Sequence, residues 1–203
     1  MRLLLPLLLL PSLASAVEFA DYDFDRWSRE VTECDRLAAH GSDPGSVAPH
    51  VSSAEMDKEA AIAACSAALE QDPDNPRLNY QLGRAYAYSG MGDKAMPYRI
   101  KALAADYPQS TFVTGYIHLL GLNIEQDTCA VPELWVRSAK YRRLAALVSL
   151  PRHYLRGDFD ECDIEISNAD LRAYLQEAKT VSGDYYVTML IEELLAKIPG
   201  DEQ

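Results

Sequence analysis

The stretch from Pro76 to Pro108 most constrains what this chain can fold into. It holds two short segments with helical spacing of apolar residues, and Gly90 and Gly92 lie between them. Proline is well placed in the first turn of a helix, so Asn75-Pro76 predicts the start of the first segment. Asp93 is predicted to cap the second. We therefore expect two short helices joined by a glycine turn.

Small and apolar residues repeat at a fixed period around this stretch. Three pairs of like residues are each 34 positions apart: Ala61 and Ala95, Ala68 and Ala102, Leu69 and Leu103. Self-similarity at a fixed period is typical of repeat architectures. No segment alternates apolar and polar residues as a half-buried strand would. The sequence predicts an all-α fold, a short α-solenoid of antiparallel helix pairs.

Helical spacing continues on both sides of the central pair. Before it, we predict a helix over 22–40, an ordered loop over 41–56 and a helix over 58–71 capped by Asp57. After it, we predict helices over 110–122, 132–150, 168–181 and 185–198. Pro151 is predicted to break or kink the chain after the second of these segments, and Ser167 to cap the third.

The first residues have the composition of a secretory signal peptide. Arg2 precedes an apolar run over 3–13, and Ala14-Ser15-Ala16 is a small-residue cleavage site. The run contains two prolines and is shorter than the roughly 20 apolar residues that span a bilayer. We predict cleavage of 1–16 and a single helical-repeat domain over 17–203. We expect export to the periplasm or medium without stable membrane insertion.

The formal net charge of the full chain is −12. Nucleic-acid binding needs a basic footprint, so this balance argues against a nucleic-acid partner. Adsorption to anionic lipid is disfavoured for the same reason.

Four cysteines follow the predicted signal peptide: Cys34, Cys65, Cys129 and Cys162. An even number in an exported chain predicts two disulfide bonds, since oxidising compartments favour them. The spacings fit neither a CxxC redox motif nor a zinc site, and on composition alone all three pairings stay open.

The Ala, Leu-Gly and Tyr pattern between Cys65 and Pro108 resembles that of tetratricopeptide and Sel-one-like repeat proteins. The stretch from Cys34 to Tyr86 is similar to the opening of a group of exported bacterial repeat proteins. Asn79 and Arg99 replace the usual aromatic residues, and the closing proline comes one residue late. The resemblance implies a helical-repeat fold and partner binding, and it supplies no catalytic residues. The matching residues are Leu82, Gly83, Tyr86, Ala95 and Ala102.

The repeat register also implies the disulfide pairing. In this register Cys65 faces the first helix of its own unit, which residues 42–56 cannot supply. The helix predicted over 22–40 is the natural substitute, and its inward-facing cysteine is Cys34. The implied bonds are therefore Cys34–Cys65 and Cys129–Cys162.

The resemblance further implies a partner-binding groove lined by the first helix of the central repeat. Its groove positions are Arg77, Tyr80, Arg84, Ala87 and Tyr88, and Thr114 and His118 are expected to continue it. Tyrosine and arginine are enriched at interface hot spots. A basic and aromatic face on an acidic protein favours an acidic or extended peptide. In the alternative interpretation, later helices cover this face and Arg84 pairs with a local carboxylate.

We find no convincing catalytic constellation. The four histidines lack the spacing of a helical metal pair, and there is no GxSxG nucleophile elbow. The acidic stretch over 158–165 departs from the calcium-binding EF-hand pattern at Cys162 and Asp163, so a solvated loop is the alternative. We predict no enzyme activity, no cofactor and no metal site.

The leading functional hypothesis is a non-catalytic exported adaptor that binds a protein or peptide in its groove. The alternative is a structural or envelope-associated subunit whose acidic surface contacts cell-wall polymer or metal.

Overall fold

The computed structural model describes residues 17–200, so the predicted signal peptide lies outside the described residues. Within that range the fold is all-α, as predicted, with nine α-helices and no strand. Short 3-10 turns occur at Phe24–Arg26 and Thr128–Ala130. The helices are Glu33–Ala38 (α1), Lys58–Gln71 (α2), Pro76–Tyr88 (α3), Gly92–Ala104 (α4), Pro108–Leu120 (α5), Val131–Lys140 (α6), Leu144–Leu155 (α7), Asn168–Val181 (α8) and Tyr185–Lys197 (α9).

Helices that follow one another along the chain pack on one another. The most extensive contacts join α3 to α4, α5 to α6, α2 to α3 and α1 to α2. One buried apolar cluster lies among α1, α2 and α3, and a larger one lies among α6 to α9. A small third cluster, of Tyr80, Ala102 and Tyr107, brings together α3, α4 and the residue before α5. The core is therefore distributed along the chain of helices.

Two glycines allow neighbouring helices to approach closely. A Cβ on Gly83 would lie 3.2 Å from the Ala95 carbonyl oxygen, at the contact between α3 and α4. A Cβ on Gly115 would lie 2.6 Å from Nε1 of Trp135, whose ring packs between α5 and α6. Small residues at these positions are required because the partner helix occupies the space of a side chain.

Most of the predicted helix starts are confirmed. The Asp57 carboxylate accepts a hydrogen bond from the Ala60 amide, and the Ser167 hydroxyl accepts one from the Asp170 amide. Asn75 caps α3, with Pro76 in its first turn. The cap predicted at Asp93 is wrong: α4 begins at Gly92, and Asp93 lies in its first turn, where a carboxylate still suits the helix dipole.

The helix predicted over 22–40 is wrong for most of its length. Only α1 and the 3-10 turn are helical there, and a reciprocal capping box between Thr32 and Asp35 starts α1. The backbone carbonyls of Ser28 and Glu30 accept hydrogen bonds from the Arg77 guanidinium. In a helix these carbonyls would accept hydrogen bonds from amides of the same helix. The long-range contact with Arg77 therefore overrides the helical spacing of the apolar residues.

The long helix predicted over 132–150 is two helices, α6 and α7. Arg142 lies between them in the left-handed region, with φ of 54°. This turn allows α7 to pack back on α6. Pro151, predicted to break or kink the chain, instead lies buried inside α7.

Residues 17–32, which we call the N-terminal strap, cross the ends of several helices. The Ala20 amide donates to the carbonyl of Lys140 at the end of α6, at 2.9 Å. The Tyr22 hydroxyl donates to the carbonyl of Ala105 at the end of α4, also at 2.9 Å. The Asn75 side chain at the start of α3 donates to the Ser28 carbonyl at 3.1 Å. The strap therefore connects the start of α3 with the ends of α4 and α6.

Both predicted disulfide bonds are confirmed. Cys34–Cys65 joins α1 to α2, and Cys129–Cys162 joins the turn before α6 to the segment after α7. The described residues contain no free cysteine. The first bond fixes the strap and α1 to the helix array.

Candidate functional site

The predicted binding face on α3 is occupied by the chain itself. Arg77, Tyr80 and Arg84 share one face of the helix, as expected, but they are 4%, 3% and 5% exposed. The strap, α1 and the loop over 41–56 contribute the groups that cover them. The prediction that these three side chains line an open groove is therefore wrong.

Arg77 is paired with the strap and with α1. It forms a buried ion pair with Asp35, which is 0% exposed. Its remaining donors reach the carbonyls of Ser28 at 3.1 Å and Glu30 at 3.3 Å. The Gln81 side chain also donates to Asp35, at 3.0 Å. These bonds compensate the cost of burying both charges.

Arg84 connects the end of α1 to Val51 in the loop over 41–56. It donates to the carbonyls of Ala38 at 3.0 Å, Ala39 at 3.1 Å and Val51 at 2.7 Å. Its guanidinium also lies over the ring of Tyr88, 5.2 Å from the centroid. Tyr88 itself is 43% exposed, so it is the α3 member of the predicted site that solvent reaches.

A buried polar cluster continues from Tyr80 toward the start of α7. The side-chain nitrogen Nε2 of Gln109 donates to the Tyr80 hydroxyl at 3.0 Å, and Nε of Arg143 donates to the side-chain oxygen Oε1 of Gln109 at 2.6 Å. The Tyr107 hydroxyl lies 2.8 Å from each carboxylate oxygen of Asp43. We refer to Asp43, Tyr80, Tyr107, Gln109 and Arg143 as the buried polar cluster.

Burial shifts the pKa values of the ionisable groups in and beside this cluster. It raises the pKa of Asp43 to about 6 and that of Tyr80 to about 12. Burial, with the charges of Arg84 and Arg143, lowers the pKa of His40 to about 4. Perturbed groups of this kind occur at catalytic sites and in structural networks. Here Asp43 is bonded to Tyr107 and to the Gly45 amide, so the cluster holds the loop in place.

His118, the remaining predicted binding residue, lies near the end of α5 and is half-buried. Its carbonyl accepts hydrogen bonds from the amides of Gly121 and Asp127, which close the turn after the helix. Thr114, one turn earlier, is buried. The structure thus gives the His118 backbone a role in ending α5.

An open cleft lies between the loop at 41–44 and the helices α7 and α9. Its volume is about 740 Å³. Sequence analysis missed it because its walls come from segments about 100 residues apart. The only sequence feature that pointed to the cleft was the set of apolar residues on α7. Their helical spacing alone predicts that they belong to a buried core. The apolar lining residues are Leu144, Val148, Val181, Val187 and Leu190.

Three arginines also line this cleft. Nε of Arg142 donates to Glu177 at 2.7 Å. Arg143, which is 6% exposed, places its guanidinium 5.3 Å from the centroid of the Phe112 ring. Arg152 is exposed and forms no ion pair with the described residues. The cleft therefore combines apolar walls with positive charge.

The acidic turn after α7 is partnered within the protein. Nδ1 of His153 lies 2.6 Å from the Asp158 carboxylate, and Nε of Arg156 lies 3.6 Å from it. Between residues 17 and 200, no group of three or more His, Cys, Asp or Glu side chains is arranged to hold a metal ion. In the same range, no helix has the length and apolar character that crossing a membrane requires.

The fold and the cleft define an all-helical, disulfide-linked protein with a basic and apolar cleft. No family model matches the chain, and neither a curated protein nor a solved structure matches it. The resemblance to tetratricopeptide and Sel-one-like repeats therefore stays a prediction.

Proposed function

We propose that this protein is a non-catalytic, exported helical-repeat adaptor that binds a protein or peptide partner in the cleft between the 41–44 loop, α7 and α9. The observation that carries the proposal is the cleft itself, with a volume of about 740 Å³ and predominantly apolar walls. Binding sites of this size are commonly apolar, with a few polar groups that orient the ligand.

The packing of the helices supports the repeat part of this proposal. Each helix contacts its neighbours in sequence most extensively, as in a short solenoid. In such an array the helix pairs form a concave groove. The strap, α1 and the loop fill this groove along α3, and the groove stays open at the cleft beside α7 and α9.

The buried polar cluster favours binding over catalysis. Asp43 lines the cleft, but Tyr107 and the Gly45 amide already engage its carboxylate. Arg143 is held by Gln109. These bonds fix the wall of the cleft rather than present a reactive group. The alternative, a structural subunit associated with the cell envelope, stays a prediction. Release of the protein from the envelope on adding a calcium chelator would favour it.

A peptide selection tests the proposal. The mature protein, with its disulfides intact, is exposed to a random peptide library. Selected peptides are then measured against Ser149→Trp, which fills the cleft without removing core atoms, and against Leu190→Glu, which charges its wall. We expect affinity to fall by about tenfold or more in both variants, since each removes apolar contact.

Ile100→Glu provides the matched control. Ile100 is 56% exposed on α4, outside the cleft, so the same kind of substitution there should leave affinity unchanged. Helical circular dichroism should be equal in all the variants. A library that yields no binders, or binders that Ser149→Trp leaves unaffected, would contradict the proposed function.

A further inference from the structure

A second cavity continues the cleft toward the C-terminal ends of α7 and α9. Its volume is about 390 Å³, and both helices line it. Arg152 and Leu190 line the cleft as well as this cavity, so the two spaces form one continuous groove. We call it the α7/α9 groove. The 41–44 loop bounds it at the start of α7.

One stripe of side chains on each helix lines the groove. The members of each stripe follow one another at intervals of three or four positions, which places them on one face of their helix. Both stripes begin beside the 41–44 loop, so α7 and α9 run in the same direction. From Leu144 to Leu155 the groove is roughly 16 Å long at the rise of a helix. The stripes are Leu144, Val148, Arg152 and Leu155 on α7 and Val187, Leu190, Leu194 and Lys197 on α9.

Apolar side chains form the floor of the groove and are not fully enclosed by the protein. Four of them pack on the α6–α9 core with one side and remain half-buried: Leu144, Leu155, Val187 and Leu190. Helix α7 contacts α8 more extensively than it contacts α9, so the space between α7 and α9 is the less filled of the two. Burial of the remaining apolar area would stabilise an occupant that has an apolar stripe of its own.

This groove suits a helix better than an extended peptide. The backbone groups along α7 and α9 are bonded within each helix, so they cannot pair with an extended backbone as the edge of a sheet does. Over the apolar floor, an extended peptide would leave backbone N–H and C=O groups without partners. A helix bonds these groups internally and presents apolar side chains at the spacing of the two stripes. About three helical turns match the length of the groove.

The α7 side of the groove is basic, although the formal net charge of the chain is −12. Arg152 and Arg156 are exposed and lie one turn apart on the same side of α7. Arg152 forms no ion pair within the described part of the chain, and Arg156 lies 3.6 Å from the Asp158 carboxylate. On the α9 side, Glu193 is bonded to Lys197 at 2.7 Å. Charge complementarity therefore favours carboxylates on the side of the occupant that faces α7.

We propose that the α7/α9 groove binds an amphipathic helix of about three turns from a partner protein, with an apolar stripe on the floor and an acidic flank along α7. This inference rests on the function proposed above and specifies its partner. The apolar stripe packs on Val148 and Leu190. Acidic side chains one turn apart pair with Arg152 and Arg156.

Four sets of acetylated and amidated 14-residue peptides test the proposal against the disulfide-bonded protein. The first has random apolar residues at positions 2, 5, 9 and 12, Glu at positions 6 and 10, and Ala or Gln elsewhere. The second has Lys in place of both Glu residues. The third is the first with Pro at position 7, on the face opposite the apolar stripe. The fourth has its apolar residues at every second position, as an extended peptide requires.

We expect the first set to bind about tenfold or more tightly than the third, because proline breaks the helix and leaves the contacting side chains unchanged. The helical circular dichroism of the bound peptide should increase. The first set should also bind several-fold more tightly than the second. Arg152→Glu should reverse that preference without affecting folding, since Arg152 is exposed. Arg36→Glu, at an exposed arginine on α1, makes the same charge change away from the groove and should leave the preference unchanged.

The outcomes separate this inference from the proposed function. Equal binding of the Glu and Lys sets overturns the inference, and so does tighter binding of the Pro or alternating set. If Ser149→Trp abolishes that binding, the proposed function still stands. A dimer of the protein that Leu190→Glu dissociates would place a second copy in the groove and would also overturn the inference. Absence of binding in all four sets and in the random library contradicts both.

Discussion

The Tyr107 hydroxyl lies 2.8 Å from both carboxylate oxygens of Asp43, a residue 64 positions earlier in the chain. The contact joins the 41–56 loop to the residue that precedes α5. A Cβ on Gly45 would lie 2.3 Å from this hydroxyl, so glycine is required there. The loop is therefore a fixed part of the core and forms one wall of the cleft.

The first prediction concerns the pH dependence of Asp43. Burial raises its pKa from 3.8 to about 6, so the folded state favours the protonated form. Well below pH 4 the Asp43 carboxyl is protonated in both the folded and the unfolded state. As pH rises from about 4 to above 6, the carboxylate destabilises the folded state by up to roughly 3 kcal/mol. The stability of Asp43→Asn should therefore increase relative to wild type over this range, as measured by urea unfolding at each pH.

The quantity to measure is the difference in the free energy of unfolding between wild type and Asp43→Asn at each pH. The pKa of His40 is lowered to about 4, so its effect has the opposite sign: stability rises as pH increases from about 4 to 6.5. The wild-type profile mixes both effects, and the comparison isolates Asp43. Glu125→Gln, at an exposed site outside the loop, is the matched control for removal of one carboxylate. A pH-independent difference for Asp43→Asn would show that the carboxyl titrates normally.

The second prediction compares two arginines that pair with α1. Arg77 pairs with Asp35, which is 0% exposed, whereas Arg36 pairs with Glu33 at the surface. Arg77→Ala leaves a buried carboxylate without its cation and should cost roughly 3–5 kcal/mol. Arg36→Ala should cost less than about 1 kcal/mol. Denaturant unfolding of both variants measures the contrast, and equal losses would show that the buried pair is solvated.

The third prediction concerns the anchoring of the loop by Arg84. Three backbone carbonyls accept hydrogen bonds from its planar guanidinium, and a lysine ammonium cannot reproduce that fork. Arg84→Lys should loosen the segment from Ala39 to Val51. Hydrogen exchange of the Val51 amide, which donates to the Ala39 carbonyl at 2.9 Å, should accelerate. Arg156→Lys, at an exposed site, is the control, and unchanged exchange in Arg84→Lys would refute the anchoring role.

The fourth prediction concerns the order of disulfide reduction. Cys34 and Cys65 are fully buried, whereas Cys129 is exposed. A reducing thiolate must reach sulfur, so Cys129–Cys162 should open first under mild reductant. Loss of either bond should cost roughly 2–4 kcal/mol. Timed alkylation with mass spectrometry follows the order, and earlier opening of Cys34–Cys65 would mean that α1 detaches readily from α2.

Local sequence patterns were sufficient for much of the fold. The caps at Asp57 and Ser167 depend on side chains that bond amides within three residues, so they can be recognised without tertiary information. The predicted face of α3 also follows from local spacing, because Arg77, Tyr80 and Arg84 do share one side of the helix. The two disulfide pairings came from the repeat register and agree with the structure.

Local sequence patterns thus predict the helical class and most of the helix starts, and the resemblance to repeat proteins implied the pairing of the cysteines. What covers the α3 face depends instead on long-range contacts. Arginine presents the same donors to a partner as to backbone carbonyls of its own chain, and here those carbonyls come from the strap, the end of α1 and the loop. The cleft is likewise a long-range result, since the 41–44 loop meets α7 and α9 only after the chain turns at Arg142 and the buried polar cluster fixes the loop.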